Sequence, residues 1–416
     1  MKIISKFLFF AFALALLACG NNDTPEREEV RRYDPVSVTK TNPMRLWMHY
    51  MPWFETPETN PLYPGQWGSH WTKGARNPNI ILPDGRRQIA SHFYPLIGPY
   101  ASGDEAVIEY HLLLMKYSGV DGILIDWYGT RNHFNYAGIR ANTQAIVRVL
   151  DRVGLQFAIV YEDRTLIHGL PQNDRVPQGM RDMQYIQTHF FSRPNYIRID
   201  GRPLLLNFGP ITAAYLTPRD WTRMFSVFRP ENRPIFMTLY GHSHIVNDAN
   251  NHNAQGEFIW VDATDMQVKY DAVRRFEHWI GGAYPGYKDY YEQAGSEASP
   301  LAPICHQGGA LFSQMLELAR QNNAEHLQLI TWNDFGEGTM IEPTREFGFR
   351  FLNDLQTFSG VTYRTDVLES IYDYFRLRQR FRGNREVERE LLQAFYYFVS
   401  LQERRAMEIV ERLNRR

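Results

Sequence analysis

From Leu46 onward, short apolar segments alternate with longer stretches of helical periodicity, the pattern of a β/α chain. Eight strands are predicted, over Leu46–Phe54, Gly122–Tyr128, Phe157–Glu162, Pro203–Phe208, Ile235–Tyr240, Glu257–Ala263, Gly281–Tyr287 and Leu327–Asn333. Runs such as Ile123-Leu124-Ile125 and Leu204-Leu205-Leu206 are apolar without alternation, as parallel strands buried on both faces are. Gly and Pro interrupt the seventh. Between the strands, Ser102-Gly103-Asp104-Glu105 predicts a capping box before a helix that stops at Gly119. Thr217-Pro218-Arg219-Asp220 supplies an N-cap, Pro at the first helical position and a first-turn acid. Asp200-Gly201 predicts a hairpin joining Tyr196–Ile199 to the fourth strand. Eight strands predict a closed (β/α)₈ TIM barrel over residues 44–360. An open doubly wound sheet is the alternative, but no Gly-rich phosphate loop follows the first strand.

Beyond residue 360 the pattern becomes purely helical. Asp366-Val367-Leu368-Glu369 starts one helix and Gly383-Asn384 breaks the chain. A second helix places Val387, Leu391, Ala394, Phe398 and Leu401 on one face, so residues 361–416 are expected to form a helical hairpin packed on the barrel. Its abundant Arg and Glu fit a solvated face with i,i+4 pairs.

At the other end, Met1-Lys2-Ile3-Ile4-Ser5-Lys6 precedes an apolar run from Phe7 to Leu17 and then Ala18-Cys19-Gly20. A basic start, a short apolar stretch and small residues make an export signal. Leu16-Leu17-Ala18-Cys19 resembles a bacterial lipobox, in which Cys19 becomes the lipidated first residue; an ordinary signal peptide with a chance cysteine is the alternative. Residues 1–19 are thus expected to be a lipoprotein signal and 20–43 a polar tether. The expectation is an exported lipoprotein at the outer membrane, on its periplasmic or cell-surface face. Cys305 is then without a partner, and no internal disulfide is expected.

Among 416 residues, 44% hydrophobic and 22% charged describe an ordinary globular chain, and a net charge of -1 leaves no footprint for nucleic acid. The aromatic share changes the picture more: 14%, with 9 Trp, 24 Tyr and 26 Phe. Such residues build a large core, and they also suit carbohydrate, whose rings present apolar C–H faces edged by hydroxyls.

In a (β/α)₈ barrel, functional residues gather at the C-terminal ends of the strands. Here those ends carry His49-Tyr50-Met51-Pro52-Trp53, Asp126-Trp127-Tyr128, Glu162-Asp163, Asn207-Phe208 and Tyr240-Gly241-His242. Acids and amides interleaved with Trp and Tyr at one mouth are what a sugar site needs. The last strand runs into Trp332-Asn333-Asp334-Phe335-Gly336-Glu337-Gly338-Thr339-Met340-Ile341-Glu342. On a regular strand Asp334 and Glu337 would face opposite ways. Gly336 and Gly338 predict that the chain leaves the sheet, letting both carboxylates converge. Glycoside cleavage needs one carboxyl to protonate the leaving oxygen and a second group as base or nucleophile.

This motif resembles the signature of the endo-α-1,2-mannosidases, glycoside hydrolase family 99, and of the related 71/99-like proteins of bacterial glycan-degrading systems. His49-Tyr50-Met51-Pro52-Trp53, the stretch from Tyr94-Pro95 to Gly98-Pro99-Tyr100, and Asp126-Trp127-Tyr128 fit the same pattern, over about Leu46 to Phe358. The resemblance implies a (β/α)₈ barrel and a metal- and cofactor-independent, endo-acting, retaining hydrolase of α-mannosides. It implies that Asp334 is the base removing the substrate 2-hydroxyl proton, so that an anhydro-sugar forms, and that Glu337 is the general acid. One departure stands out: the endomannosidases carry Glu where this chain has Asp334. The missing methylene draws the carboxylate back by roughly 1.5 Å, and a misplacement near 1 Å costs about 10²-fold in rate.

His49, Tyr50, Trp53, Asp126, Trp127, Tyr128, Glu162, Asp163, Asn207, Tyr240, His242, Trp332, Asn333 and Glu342 are the expected substrate contacts. An oligo- or polysaccharide is the expected partner, beside a membrane through Cys19 and neighbouring glycan-utilisation proteins. His242-Ser243-His244 with His252 lacks a convincing metal-ligand spacing. Trp67, His70 and Trp71 lie in a long loop able to wall the cleft. A glycan-binding lipoprotein on a hydrolase scaffold, with Asp334 marking lost catalysis, is the second reading.

Overall fold

A computed structural model describes residues 29–210, 216–297 and 299–416. The signal, the lipobox with Cys19 and the first part of the tether lie outside the described residues.

Eight parallel strands form the barrel: β1 (Arg45–Tyr50), β2 (Gly122–Trp127), β3 (Gln156–Tyr161), β4 (Arg202–Asn207), β5 (Ile235–Leu239), β6 (Gly256–Phe258), β7 (His278–Ala283) and β8 (His326–Leu329). β1 sits between β2 and β8, and the ring closes where Ile159, Val160 and Tyr161 of β3 pair with Leu205, Leu206 and Asn207 of β4. Closure removes every sheet edge and excludes the open doubly wound alternative. The apolar runs are the walls of this ring: every residue of β2 is buried.

Several local signals hold. Thr217 accepts from Asp220 N while Asp220 accepts from Thr217 N, a reciprocal capping box for the helix Pro218–Phe225. Arg198 and Ile199 pair antiparallel with Pro203 and Arg202 across the Asp200-Gly201 turn. Others need correction. Helix Glu105–Tyr117 is capped by Asp104, whose side chain accepts from Ala106 N; Ser102 instead takes the Phe54 N–H and ties the first loop down. β6 ends at Phe258, and β8 ends at Leu329, four residues before its predicted end. β7 starts three residues earlier than predicted and stops at Ala283, with Tyr287 bridging to Ile304 outside the sheet.

The expected C-terminal hairpin is three helices, Thr365–Arg380, Arg385–Val399 and Glu403–Asn414. Leu401, placed on a helical face by periodicity, lies in the connection with φ 58°. These helices cover Glu105–Tyr117, which is why that helix is buried from Ala106 to Tyr117 on all sides. Its Glu109 accepts from Tyr374 OH at 2.6 Å and lies 3.3 and 3.6 Å from the guanidinium groups of Arg152 and Arg378. A buried carboxylate placed this way is tolerated only because both cations are present.

Candidate active site

A cavity of about 240 Å³ opens at the C-terminal ends of the strands, near the lower end of small-ligand site volumes. Strand alternation decides which of the expected residues reach it. His49 at the end of β1, Asp126 and Tyr128 at the end of β2, and Glu162 just past β3 all line the cavity. Their immediate neighbours turn outward: Tyr50 bonds His111 of the surrounding helix at 2.9 Å, and Trp127 stacks on Tyr185 at 5.6 Å. Trp53 completes the expected residues of the wall on this side, its face 4.2 Å from the His70 ring and nearly parallel to it.

Asp334 and Glu337 converge in the same cavity. Past Leu329 the chain folds into a self-bonded loop. Asp334 N donates to Thr331 Oγ1 at 2.9 Å, Gly338 N to Asp334 O at 2.9 Å, and Glu337 N to Asp334 Oδ1 at 3.0 Å. Gly338 is required here: its φ is +68°, and a Cβ would lie 2.7 Å from Lys288 O. The segment after β7 pins the loop from outside, Lys288 N donating to Glu337 O and Tyr290 N to Gly336 O.

The two acids differ in support. Burial raises both carboxyls. For Asp334, the Lys73 ammonium and the N–H groups of Glu337 and Gly336 oppose that rise. Glu337 meets burial and then the Asp334 charge, and is pushed up to about 8 even though the Tyr291 hydroxyl donates to it at 2.8 Å. Asp334 therefore gives up its proton before Glu337 does, the division that acid–base chemistry requires.

Across the cavity sits a second acidic pair. Glu162 accepts from Arg164 Nε at 2.6 Å, yet burial lifts it to about 7. Asp126, 2% exposed, is raised by burial and by Glu162, and its Oδ1 has no hydrogen-bond partner. Such an oxygen suits a ligand hydroxyl. His49 is brought down to about 4 by burial and is neutral at neutral pH. The Gln328 amide donates to Ile259 O, so its oxygen takes the His49 Nδ1–H at 3.2 Å and leaves Nε2 as an acceptor.

Several expected contacts stand behind the cavity rather than in it. Asn333 accepts from Met51 N at 2.9 Å and donates to Met51 O and Tyr100 OH at 3.0 Å. Tyr100 OH in turn donates to Glu342 at 2.7 Å, and His111 Nε2 lies 3.4 Å from the other Glu342 oxygen. Trp332 packs edge-on against His111. These residues hold the acidic loop to β1. Asn207 donates to Asp163 at 3.3 Å within the buried layer. Tyr240 lies under the Lys269 ammonium at 4.3 Å, and His242 sits on the turn beyond it; neither lines the cavity.

Sequence reasoning missed Lys73, Arg164, Trp260 and Tyr291 as lining residues; Phe208, named only as a strand end, lines the cavity, and of the loop residues expected to wall the cleft His70 does so while Trp67 and Trp71 do not. Arg164 was within reach: it follows Glu162 by two positions. Lys73 and Tyr291 arrive on long loops whose path no periodicity encodes. Among the described residues, no group of three or more His, Cys, Asp or Glu is placed to hold a metal ion.

Comparison with known proteins agrees with this geometry. Residues 44–236, from β1 into β5, match the model of glycosyl hydrolase family 99. The chain is 32% identical over 328 residues to a glycoprotein endo-alpha-1,2-mannosidase-like protein of Danio rerio, covering 70% of this chain and 69% of that one. It is 30% identical over 337 residues to the glycoprotein endo-alpha-1,2-mannosidase of Xenopus laevis, covering 71% and 69%. The endo-alpha-mannosidase structure of the same family from Bacteroides thetaiotaomicron superposes with a TM-score of 0.58 at 18% identity, covering 80% of this chain and 99% of that one, which supports the barrel fold. With a paired-acid mouth on a closed barrel and relatives matched at this level, the chain belongs to glycosyl hydrolase family 99.

Proposed function

We propose that this protein hydrolyses α-mannosidic bonds inside a glycan chain, with Glu337 as general acid and Asp334 as base. The observation that carries the reading is the unequal support of the two acids within one cavity: Lys73 and backbone N–H groups for Asp334, burial and the Asp334 charge for Glu337.

In an α-mannoside the 2-hydroxyl and the leaving group are both axial and anti to each other. An oxygen at C2 can therefore attack C1 in line as the leaving group departs. Asp334 would take the 2-hydroxyl proton while Glu337 delivers its own to the departing oxygen, giving a 1,2-anhydro sugar. Glu337, now the anion, would take a proton from water as that water attacks C1 and the C1–O2 bond breaks, while Asp334 returns its proton to O2, so configuration is retained and both acids are reset. An α-glucoside has an equatorial 2-hydroxyl and lacks this geometry, which favours mannose. The relatives named above carry the same activity in their names.

The shorter Asp334 still reaches the cavity, where the Glu337 N–H donates to its Oδ1 at 3.0 Å and holds the carboxylate in place. We also infer from residues 1–19 that the chain is exported and anchored by lipid at Cys19 in an outer membrane. Cys19→Ser should release it from the membrane fraction, and its retention there would sink the anchor.

The test of activity is product release from yeast mannans, fungal α-glucans and N-glycans, comparing the parent with Glu337→Gln. Oligosaccharides from mannan, absent with the variant, support the proposal. Binding by both proteins with release by neither would favour a glycan-binding protein instead.

A further inference from the structure

We propose that Phe134, at the rim of the barrel mouth, forms an outer subsite that stacks on a sugar unit of the glycan chain beyond the cavity. The inference deepens the glycan reading above and rests on it.

Phe134 is anomalous twice. Its side chain is 59% exposed, among the most exposed large hydrophobic groups in the described residues. Its backbone is left-handed at φ 44°, a region that a bulky aromatic rarely occupies. Exposure wastes the burial that a Phe side chain offers, and the backbone adds strain. Neither is needed to make the turn, since Asn or Gly adopts this conformation more readily. Strained, exposed residues of this sort collect at ligand sites, where the strain holds a group in place.

What surrounds it indicates the ligand. The loop follows β2, so it stands at the mouth. Its next residue, Asn135, places Nδ2 3.1 Å from His70 Nε2, and His70 lines the cavity. From the cavity outward the rings form a continuous series. Tyr128 in the wall meets Tyr136 edge-on at 5.3 Å, Tyr136 meets Phe134 at 6.0 Å, and His133 lies 3.9 Å from Phe134. His168, from the loop after β3, approaches the same ring at 6.4 Å. Phe134 and His168 are the exposed members of this series, and Phe134 is the one with an apolar face. A polysaccharide leaving the cavity along this side passes over its face, and a pyranose C–H face is the chemistry an exposed phenyl ring recognises. His133 and His168 beside it supply polar edges for hydroxyl groups.

The test uses the full chain with Phe134→Ala, Phe134→Trp and Phe134→Gly. Kinetics are measured on the polysaccharide the parent cleaves fastest and on the shortest oligosaccharide of the same linkage it still cleaves. Affinity electrophoresis through gels holding the same polysaccharides runs in parallel. Phe134→Ala should raise KM for the polymer roughly 3- to 10-fold, the factor one aromatic face contributes, with kcat kept. KM for the short substrate should stay unchanged, and Phe134→Trp should restore the polymer value. Phe134→Gly should lose polymer affinity equally while its melting temperature holds or rises, because the strain is relieved. Equal KM for parent and Phe134→Ala at every chain length overturns the subsite and leaves the hydrolase reading standing. A parent that cleaves nothing, yet is retarded in gels where Phe134→Ala is not, supports the subsite and sinks the hydrolase reading. A parent neither active nor retarded overturns both.

Discussion

Glu337 and Asp334 are chemically alike, and their surroundings set them apart. With Glu337 as the proposed general acid, which acts only when protonated, kcat/KM should fall on the alkaline side as it titrates near 8. Tyr291 donates to the ionised form and so lowers that value; Tyr291→Phe should move the alkaline limb to higher pH, and a limb that stays in place would deny the Tyr291–Glu337 bond its role. The same raised value bears on stability. Its carboxyl holds a proton in the folded protein at pH values where the unfolded chain has lost it. The folded state therefore binds more protons between the ordinary carboxyl range and about 8, and stability falls as pH rises through that window. Glu337→Gln should raise the melting temperature, more at pH 8 than at pH 5. A variant less stable than the parent at pH 8 would contradict the burial cost assigned to Glu337.

At the scale of elements, the acidic loop is a short hairpin held against β1 and the helix Glu105–Tyr117 by Asn333, Tyr100, Glu342 and His111. Glu342 is fully buried, so Glu342→Ala, which leaves Tyr100 and His111 facing a void, should cost on the order of 3–5 kcal/mol in chemical denaturation. Glu342→Gln keeps the Tyr100 bond and should fold, with kcat reduced and KM little changed. Full activity with Glu342→Ala would remove the network from the account of the site. This element also shows what the sequence made legible. Strand existence and order were readable because buried parallel strands are continuous apolar runs. Which strand-end residues face the cavity was not, since Tyr50 and Trp127 differ from His49 and Asp126 only by one step of alternation, and the exact strand end fixes that phase. β7 was misplaced because Gly281 resembles a strand start, whereas it sits mid-strand: a Cβ there would lie 2.8 Å from the Tyr270 ring packed over it. The acidic pair was legible from its glycines; Lys73 and Tyr291, which tune it, were not.

At the scale of the whole molecule, the barrel has one end that holds the cavity and an opposite end that is covered. Residues 29–44 run along the latter: Val36 N donates to Val399 O, Asn42 N to Ser359 O, and Lys40 pairs with Asp121 beside the start of β1. Lys116, buried in the same region and brought down to about 8, donates to Val36 O and Val153 O. The three C-terminal helices complete the cover over Glu105–Tyr117. Removing residues 361–416 would uncover that helix and strip Glu109 of Arg378 and Tyr374. The truncated chain should aggregate or lose cooperative unfolding; a soluble product with the parent's melting temperature would mean that the helices are an independent appendage.

The division of roles between the two acids is best tested with a manno-oligosaccharyl fluoride beside natural mannan, because fluoride leaves without proton donation. Glu337→Gln should lose about 10²- to 10⁴-fold on mannan and keep most of its turnover of the fluoride when azide, which needs no base, opens the ring in place of water, whereas Asp334→Asn should lose both. Equal losses on both substrates for Glu337→Gln, or a fluoride turnover that survives Asp334→Asn, would contradict Glu337 as acid and Asp334 as base.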